Sequence, residues 1–449
     1  MKETKNAILH DEFASTKSTQ IIENSLDVIS LIIIWITFTS VAPFVFFYIV
    51  PDHPYKLLTF AGLLACCILL TSKSKIRISS KEVFLVLLTQ VVFFGSIFSF
   101  LHNSFTIAEN SDGSVTLAIQ FISILVLNTY VFNFYSSTKL AKSYIYVIIL
   151  MGFLGWIIFV LGLIGAPILD IATIHVSFFD KRPSYNFWLT HTNAIYVVGN
   201  SLIVRVAGFF DEPGTFAYYI TFALILNKTY GFGRKLEILL FLAGFPTLSL
   251  AYFISTLLYL ILFYLNLKNI RYFAILTLTL ILLTNYIHAN RDASDVNAQI
   301  YDKTLGRFSL TQSDGKIIEG DNRSQLFNNG FEAFQDAPII GHGVHYQKNP
   351  KSKYRNIYFG ANLMAPFATY GIVGVAFLWL HFYFWSYLIF IYFPKSKVKK
   401  IFIFSWLIVA INLLQRPDLI GLLNYFLVLL LIDSTLRSKK MLEKKINET

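Results

Sequence analysis

The feature that most constrains this chain is a recurrence of apolar runs with almost no charge. Most are roughly 17–25 residues long, enough to cross a ~30 Å hydrocarbon layer as a helix. Soluble domains spend about a quarter of their residues on Asp, Glu, Lys and Arg, whereas this chain spends 14%. The pattern predicts an all-α polytopic membrane protein. Twelve spans are expected, at about 27–50, 56–71, 82–101, 115–135, 143–165, 213–230, 236–246, 248–267, 272–288, 371–393, 401–414 and 419–432. The stretch from 236 to 267 is too long for one helix; Gly244-Phe245-Pro246 interrupts it, so it reads as a tight hairpin of two. Residues 1–26 are polar and lack a signal-peptide core, so the first apolar run is expected to remain in the product. Cys66 and Cys67 are adjacent inside an apolar run, which suits neither a disulfide framework nor a metal pair.

The formal net charge of +11 is explained by topology better than by nucleic acid. Cations collect in the N-tail, 72–81, 136–142, 228–235, Lys268 with Arg271, 394–400 and the C-tail, all on one side of the span map. The short loops of the other side hold only Lys56 and Arg416. By the positive-inside rule the first side is cytoplasmic. The expected order is a cytoplasmic N-tail (1–26), five helices (27–165), an external segment (166–212), four helices (213–288), a large external segment (289–370), three helices (371–432) and a basic cytoplasmic tail (433–449). Placing nearly all the non-membrane mass outside favours chemistry at the outer face over transport, which needs two comparable faces.

Two external stretches carry the candidate residues. Ala194–Val198 and Ser201–Val206 flank Gly199-Asn200, a β-hairpin pattern that delivers Arg205 towards Gly208. Phe209-Phe210-Asp211-Glu212-Pro213 then opens a long helix, with proline suited to its first turn. Glu212 reads either as a cap carboxylate or as a general base held ionised by the helix dipole and a nearby arginine. In the second stretch, 321–334 is amphipathic, with Leu326, Phe327, Gly330, Phe331 and Phe334 on one stripe and Arg323 at its centre. Arg323 either snorkels and pairs locally or faces an anion. Ala337–Tyr346 follows with His342 and His345. No Cys, Asp or Glu completes a ligand set there, so no metal is expected. His342, between Gly341 and Gly343, is placed for a close backbone approach to substrate, or is a loop histidine without a role. The basic, aromatic run Lys348, Lys351, Lys353, Arg355, Tyr346, Tyr354 and Tyr358 suits lipid headgroups.

The sequence holds no GxxxxGK[ST], no GxGxxG between strand and helix, no GxSxG and no acidic triplet for a divalent ion, so neither nucleotide nor other cofactor is expected. The ordered set Arg205-Val-Ala-Gly208-Phe-Phe-Asp-Glu212-Pro213, then Arg323, Pro338-Ile-Ile-Gly-His-Gly343, Ala361-Asn362 and Gly371-Ile-Val-Gly374 resembles the bacterial O-antigen polymerase and O-antigen ligase superfamily. The resemblance implies the C-type glycosyltransferase fold in the bacterial inner membrane. It also implies undecaprenyl-diphosphate-linked oligosaccharides as donor and acceptor, and a chain-length regulator as a possible partner. Where ligases carry a histidine before Asn362, this chain has Ala361, which favours the polymerase branch.

On that resemblance Arg205 and Arg323 meet the leaving diphosphate as bidentate partners, Glu212 takes the acceptor hydroxyl proton and His342 is a reserve base. Gly208, Gly341, Gly343, His345 and Asn362 line the substrate. The alternatives are a ligase of the same superfamily and, from another class, a lipid-linked oligosaccharide flippase, which would bury charges mid-span. Topology is checked by a cysteine introduced at Ser313, which is expected to react with an impermeant thiol reagent in intact spheroplasts. Labelling only after lysis would overturn the sidedness.

Overall fold

A computed structural model describes residues 137–166, 172–174, 184–198, 201–265, 270–290, 323–343, 362–392, 397–416 and 422–448, with a few positions at 30–35 and between 298 and 359. The first four expected spans lie outside the described residues, apart from the helical positions at 30–35. The described part is mostly helical, at 76%. Within it one helix is long and apolar enough to cross a membrane, α1 (Ser137–Leu163).

After α1, a three-stranded antiparallel sheet is built from β1 (Ala172–Ile174), β2 (Ser184–Asn186) and β3 (His191–Thr192). A hairpin of β4 (Ile195–Val198) and β5 (Ser201–Val204) follows, pairing Ile195 with Val204 and Val198 with Ser201 across residues 199–200. Next come α2 (Pro213–Tyr230), α3 (Arg234–Gly244), a 3-10 turn at Phe245–Thr247, α4 (Leu250–Tyr264) and α5 (Ile270–Ala289). The chain closes with α6 (Arg323–Asp336), α7 (Met364–Tyr392), α8 (Lys397–Gln415) and α9 (Leu422–Glu448). The last helix runs through the segment expected to be a basic tail.

α2 is the centre of the fold. From Thr215 to Asn227 it is buried on every side, and α1, α3, α4, α8 and α9 pack around it. Such burial follows from a helix that is apolar around its whole circumference. Close packing of α1 depends on small residues: a Cβ on Gly152 would stand 2.4 Å from Ala243 Cβ, and one on Gly155 would stand 2.2 Å from Val206 Cγ1.

Polar clusters tie the helices at both ends. Where α1 begins and α2 ends, Asp433 Oδ2 accepts hydrogen bonds from Ser137 Oγ (2.6 Å), Tyr230 Oη (3.2 Å) and Arg437 Nε (2.8 Å). Glu237 accepts from the hydroxyls of Tyr259 and Tyr264, with Lys228 Nζ 3.7 Å away. At the opposite end the strand leaving β5 meets the α3–α4 turn, where the Val206 amide donates to the Pro246 carbonyl at 2.9 Å.

α7 is broken at Gly371 (φ 64, ψ −175), and the break is locked by the loop after α6. The amides of His342 and Gly343 donate to the carbonyls of Ala368 (2.9 Å) and Thr369 (2.8 Å). In return Ile372 and Val373 donate to Pro338 (2.8 Å) and Ile339 (3.1 Å). The crossing requires glycine on both chains. A Cβ on Gly341 (φ 77) would lie 2.5 Å from backbone atoms of Thr369 and Gly371, and one on Gly371 would lie 2.3 Å from the Ile339 oxygen. Gly341→Ala or Gly371→Ala is therefore expected to lower the melting temperature of the purified protein by several degrees or abolish its monodisperse yield. The left-handed conformation alone costs about 1–2 kcal/mol, before the clash is counted. Gly214→Ala, whose Cβ would come no closer than 3.4 Å to Glu212 Oε1, is the tolerated control. Equal melting curves for all three would refute the interlock.

Candidate functional site

The segment from β5 into α2 is aimed by its backbone. Arg205 donates its amide to the Ala194 carbonyl (3.1 Å) and Ala207 donates to His191 (3.0 Å). Thr190 Oγ1 donates to the Gly208 carbonyl at 3.1 Å, and Thr192 Oγ1 donates to that of Arg205. Gly208 (φ 60) turns the chain over the Phe216 ring. Phe209 and Phe210 then plunge into the core, Phe210 stacking on Tyr219 at 4.6 Å between centroids. Two buried phenylalanines thus fix where the next two residues, both acidic, emerge at the start of α2.

Arg205 is half-buried and braced rather than loose. Its Nε donates to the Thr247 carbonyl (3.2 Å) and its Nη1 to Tyr196 Oη (3.4 Å). Among the described residues these bonds take two of the five guanidinium N–H donors.

Glu212 occupies the N-cap position of α2, with Pro213 behind it, but its side chain makes no capping hydrogen bond. Its carboxylate pairs with Arg416 Nη2, just past the end of α8. The Glu212 side chain is 40% exposed and that of Arg416 19%, so the guanidinium lies deeper than the acid it holds. Asp211 accepts a hydrogen bond from Thr215 Oγ1 at 2.5 Å. Burial pushes the Asp211 carboxyl above the usual carboxylate range, while the positive charge of Arg416 and the Thr215 hydrogen bond pull it back. Glu212 is thus the carboxylate that pairs with Arg416, while Asp211, one residue before it, lies within reach of the same positive charge.

The second group lies around the α7 break. His342 Nε2 donates to the Ala333 carbonyl (2.8 Å) and its ring packs against Tyr354 at 4.8 Å, leaving Nδ1 for any proton transfer. Tyr354 Oη donates to Asp336, which also pairs with Lys353 at 2.5 Å. Those two contacts hold the Asp336 carboxyl below its ordinary range. The close approach that Gly341 permits is taken by the backbone of α7 itself. Asn362 is spent on its own chain: Oδ1 accepts from the amides of Met364 (2.8 Å) and Ala365 (3.2 Å), capping α7, and Nδ2 donates to Phe359.

α6 rests on α7 through Gly330, Ala333 and Phe334, while Phe327 and Phe331 are exposed and stack on each other. The apolar stripe expected from periodicity is thus rotated, because the small residues let α6 sit close and turn their larger neighbours outward. Arg323 opens α6, but its side chain lies outside the described residues, as do Asp321, His345, Lys348, Lys351, Arg355, Tyr358 and Ala361.

The described contacts join Glu212 to Arg416 and Arg205 to Tyr196 and Thr247; His342 and Asn362 belong to the α6–α7 junction. In the sequence Arg416 reads only as a loop cation; the available signal is that the short loops of its side hold just one other, Lys56. Among the described residues no group of three or more His, Cys, Asp or Glu is placed to hold a metal ion. Compared with known proteins, the chain matches no family model and no curated sequence.

Beside this segment His191 is fully buried, and among the described residues neither ring nitrogen finds a hydrogen-bond partner. Burial pushes the imidazole down from 6.5 to about 4. The unfolded chain takes up that proton near the ordinary value, so stability is expected to fall as pH drops below 6.5 and to go on falling to about 4. The loss amounts to about 3 kcal/mol at the acid end. His191→Phe should flatten the fall in melting temperature between neutral and acidic pH. An unchanged slope in the variant would show that His191 does not carry it.

Proposed function

We propose that this protein is a polysaccharide polymerase of the O-antigen polymerase type, joining undecaprenyl-diphosphate-linked repeat units at the outer leaflet of a bacterial inner membrane. The observation that carries the reading is the ion pair of Arg416 with the Glu212 carboxylate, which stands off its helix cap at the start of α2, on the segment that a half-buried Arg205, braced by Thr247 and Tyr196, leads into. The twelve-span topology is part of the proposal. It is supported by the meeting of Ser137, Tyr230, Asp433 and Arg437 at one end of the helices and, away from that end, by the contacts of Val206 with Pro246, Arg205 with Thr247 and Glu212 with Arg416, the sorting that the loop cations suggest.

The reaction needs few parts. An acceptor sugar hydroxyl attacks the anomeric carbon of the donor as the bond to the lipid diphosphate breaks. Glu212 takes the hydroxyl proton, with His342 Nδ1 in reserve. The departing diphosphate keeps the electron pair and needs no proton, but its charge must be met in a partly dry site; Arg205 and Arg323 do this as planar donors. Holding two lipid-tethered glycans in line supplies the rest. Ala361, at the position where ligases carry histidine, keeps the polymerase reading ahead of the ligase.

Deletion is expected to leave surface glycan limited to single repeats with export intact. Arg205→Lys, Arg323→Lys and Glu212→Gln should each reproduce that defect at normal membrane abundance. Losing one preorganised donor slows the reaction roughly 100- to 1000-fold. Chain length on gels beside immunodetected protein is the measurement. Single repeats trapped on the cytoplasmic leaflet would point to a flippase, long chains never passed to lipid A would point to a ligase, and full ladders in all three variants would overturn the site.

A further inference from the structure

We propose that Arg416 is a third diphosphate-binding residue, held in reserve by Glu212 until the lipid diphosphate takes the guanidinium and frees the carboxylate. The inference rests on the polymerase reading and deepens it.

Three observations lead to it. Arg416 lies in a short loop between two apolar runs, on the side of the span map whose short loops hold only one other cation, Lys56, so the rule that gathers cations in short cytoplasmic loops does not account for it. Its guanidinium pairs with the residue whose carboxylate the chemistry needs unoccupied. It is also more buried than that carboxylate, which leaves Glu212 on the open side, where an incoming anion would compete with it. Asp211, half-buried and anchored by Thr215, lies close enough for the Arg416 charge to act on it. When Glu212 leaves, the Asp211 carboxylate stays within reach of the Arg416 charge, and the donor that Glu212 held is the one offered to the incoming anion. Gly214 lies beside the pair: a Cβ there would meet Glu212 Oε1 at 3.4 Å and Arg416 Nη2 at 3.9 Å, and the glycine leaves that space open.

The exchange is a competition between two anions for one cation, and it couples binding to catalysis. Donor diphosphate on Arg416 would free Glu212 to receive the acceptor proton; without donor, the base is masked. A diphosphate presents a planar guanidinium with two or more oxygens, where a lone carboxylate presents two.

The experiment measures binding of undecaprenyl diphosphate to the full-length protein in phosphatidylcholine nanodiscs. Arg416→Gln should weaken binding about tenfold or more. Glu212→Gln, which unmasks Arg416, should strengthen it about tenfold. In an Arg416→Gln background the Glu212→Gln change should do little, and that dependence separates a contest for Arg416 from simple removal of a negative charge. Should Arg416→Gln fail to fold, Arg416→Lys keeps a cation beside Asp211 but loses the fork, and a several-fold weakening is expected. Tighter binding from Glu212→Gln in both backgrounds, or binding indifferent to both Arg416 variants, would overturn the exchange while leaving the polymerase reading standing. Absence of binding by the unaltered protein would overturn both.

Discussion

A helix that breaks inside a packed, largely apolar body leaves amide and carbonyl groups with no water to satisfy them, and each orphan costs as much as a lost hydrogen bond or more. α7 breaks at Gly371, and the arrangement of the α6–α7 junction follows from how that break is repaired. The 338–343 backbone supplies two donors and two acceptors, and the two chains come so close that neither Gly341 nor Gly371 has room for a side chain. That contact fixes the end of α6, and with it the placement of Arg323 at the far end of the same helix. It also holds the His342 ring against Tyr354 and the Ala333 carbonyl. The glycine-histidine-glycine turn, which the sequence marks only as a place of close backbone approach, is held by two hydrogen bonds to α7 and by the tight contact at Gly341.

The other side of the candidate site is organised by side chains. Phe209 and Phe210 are driven into the core by ordinary apolar burial, and the acids that follow have nowhere to go except the rim of α2. Arg205 and Arg416 approach that rim from different elements, the strand leaving β5 and the end of α8. Each arginine is braced by contacts within the chain, so a ligand arriving there meets donors already placed. A charged group so placed loses less conformational entropy on binding than a long side chain free in solvent.

Much of the fold was legible because it is dictated by local periodicity. Apolar runs locate α1, α2, α3, α4 and α8 to within a few residues, Gly244-Phe245-Pro246 marks the turn between α3 and α4, and the β-branched runs around 199–200 mark the hairpin. Three features were not legible. The first turns of α7 precede the apolar run, and what starts them is the Asn362 cap, which sequence reasoning had assigned to substrate. The face of α6 was set by steric reach, since Gly330 and Ala333 decide which side can touch α7 and hydrophobicity alone does not. The partner of Glu212 came from nearly the far end of the chain, and no short-range pattern encodes such a pairing. Its trace in the sequence was a violation: one arginine where the charge rule leaves few.

That violation has an energetic reading. A partly buried guanidinium with no partner would be costly, and its pair with Glu212 at the start of α2, with the Asp211 charge nearby, offsets that cost. A purely structural solution would need one carboxylate, preferably the deeper one. The chain instead supplies a second acid on the open side, in a cap position where glutamate is not among the favoured residues and where its side chain makes no cap bond. A carboxylate engaged by a guanidinium has fewer lone pairs to offer an incoming hydroxyl, so the arrangement is poorly suited to permanent occupancy and well suited to exchange. The surplus acid is explained if Arg416 is meant to change partners, with Asp211, held by Thr215, remaining within reach of its charge.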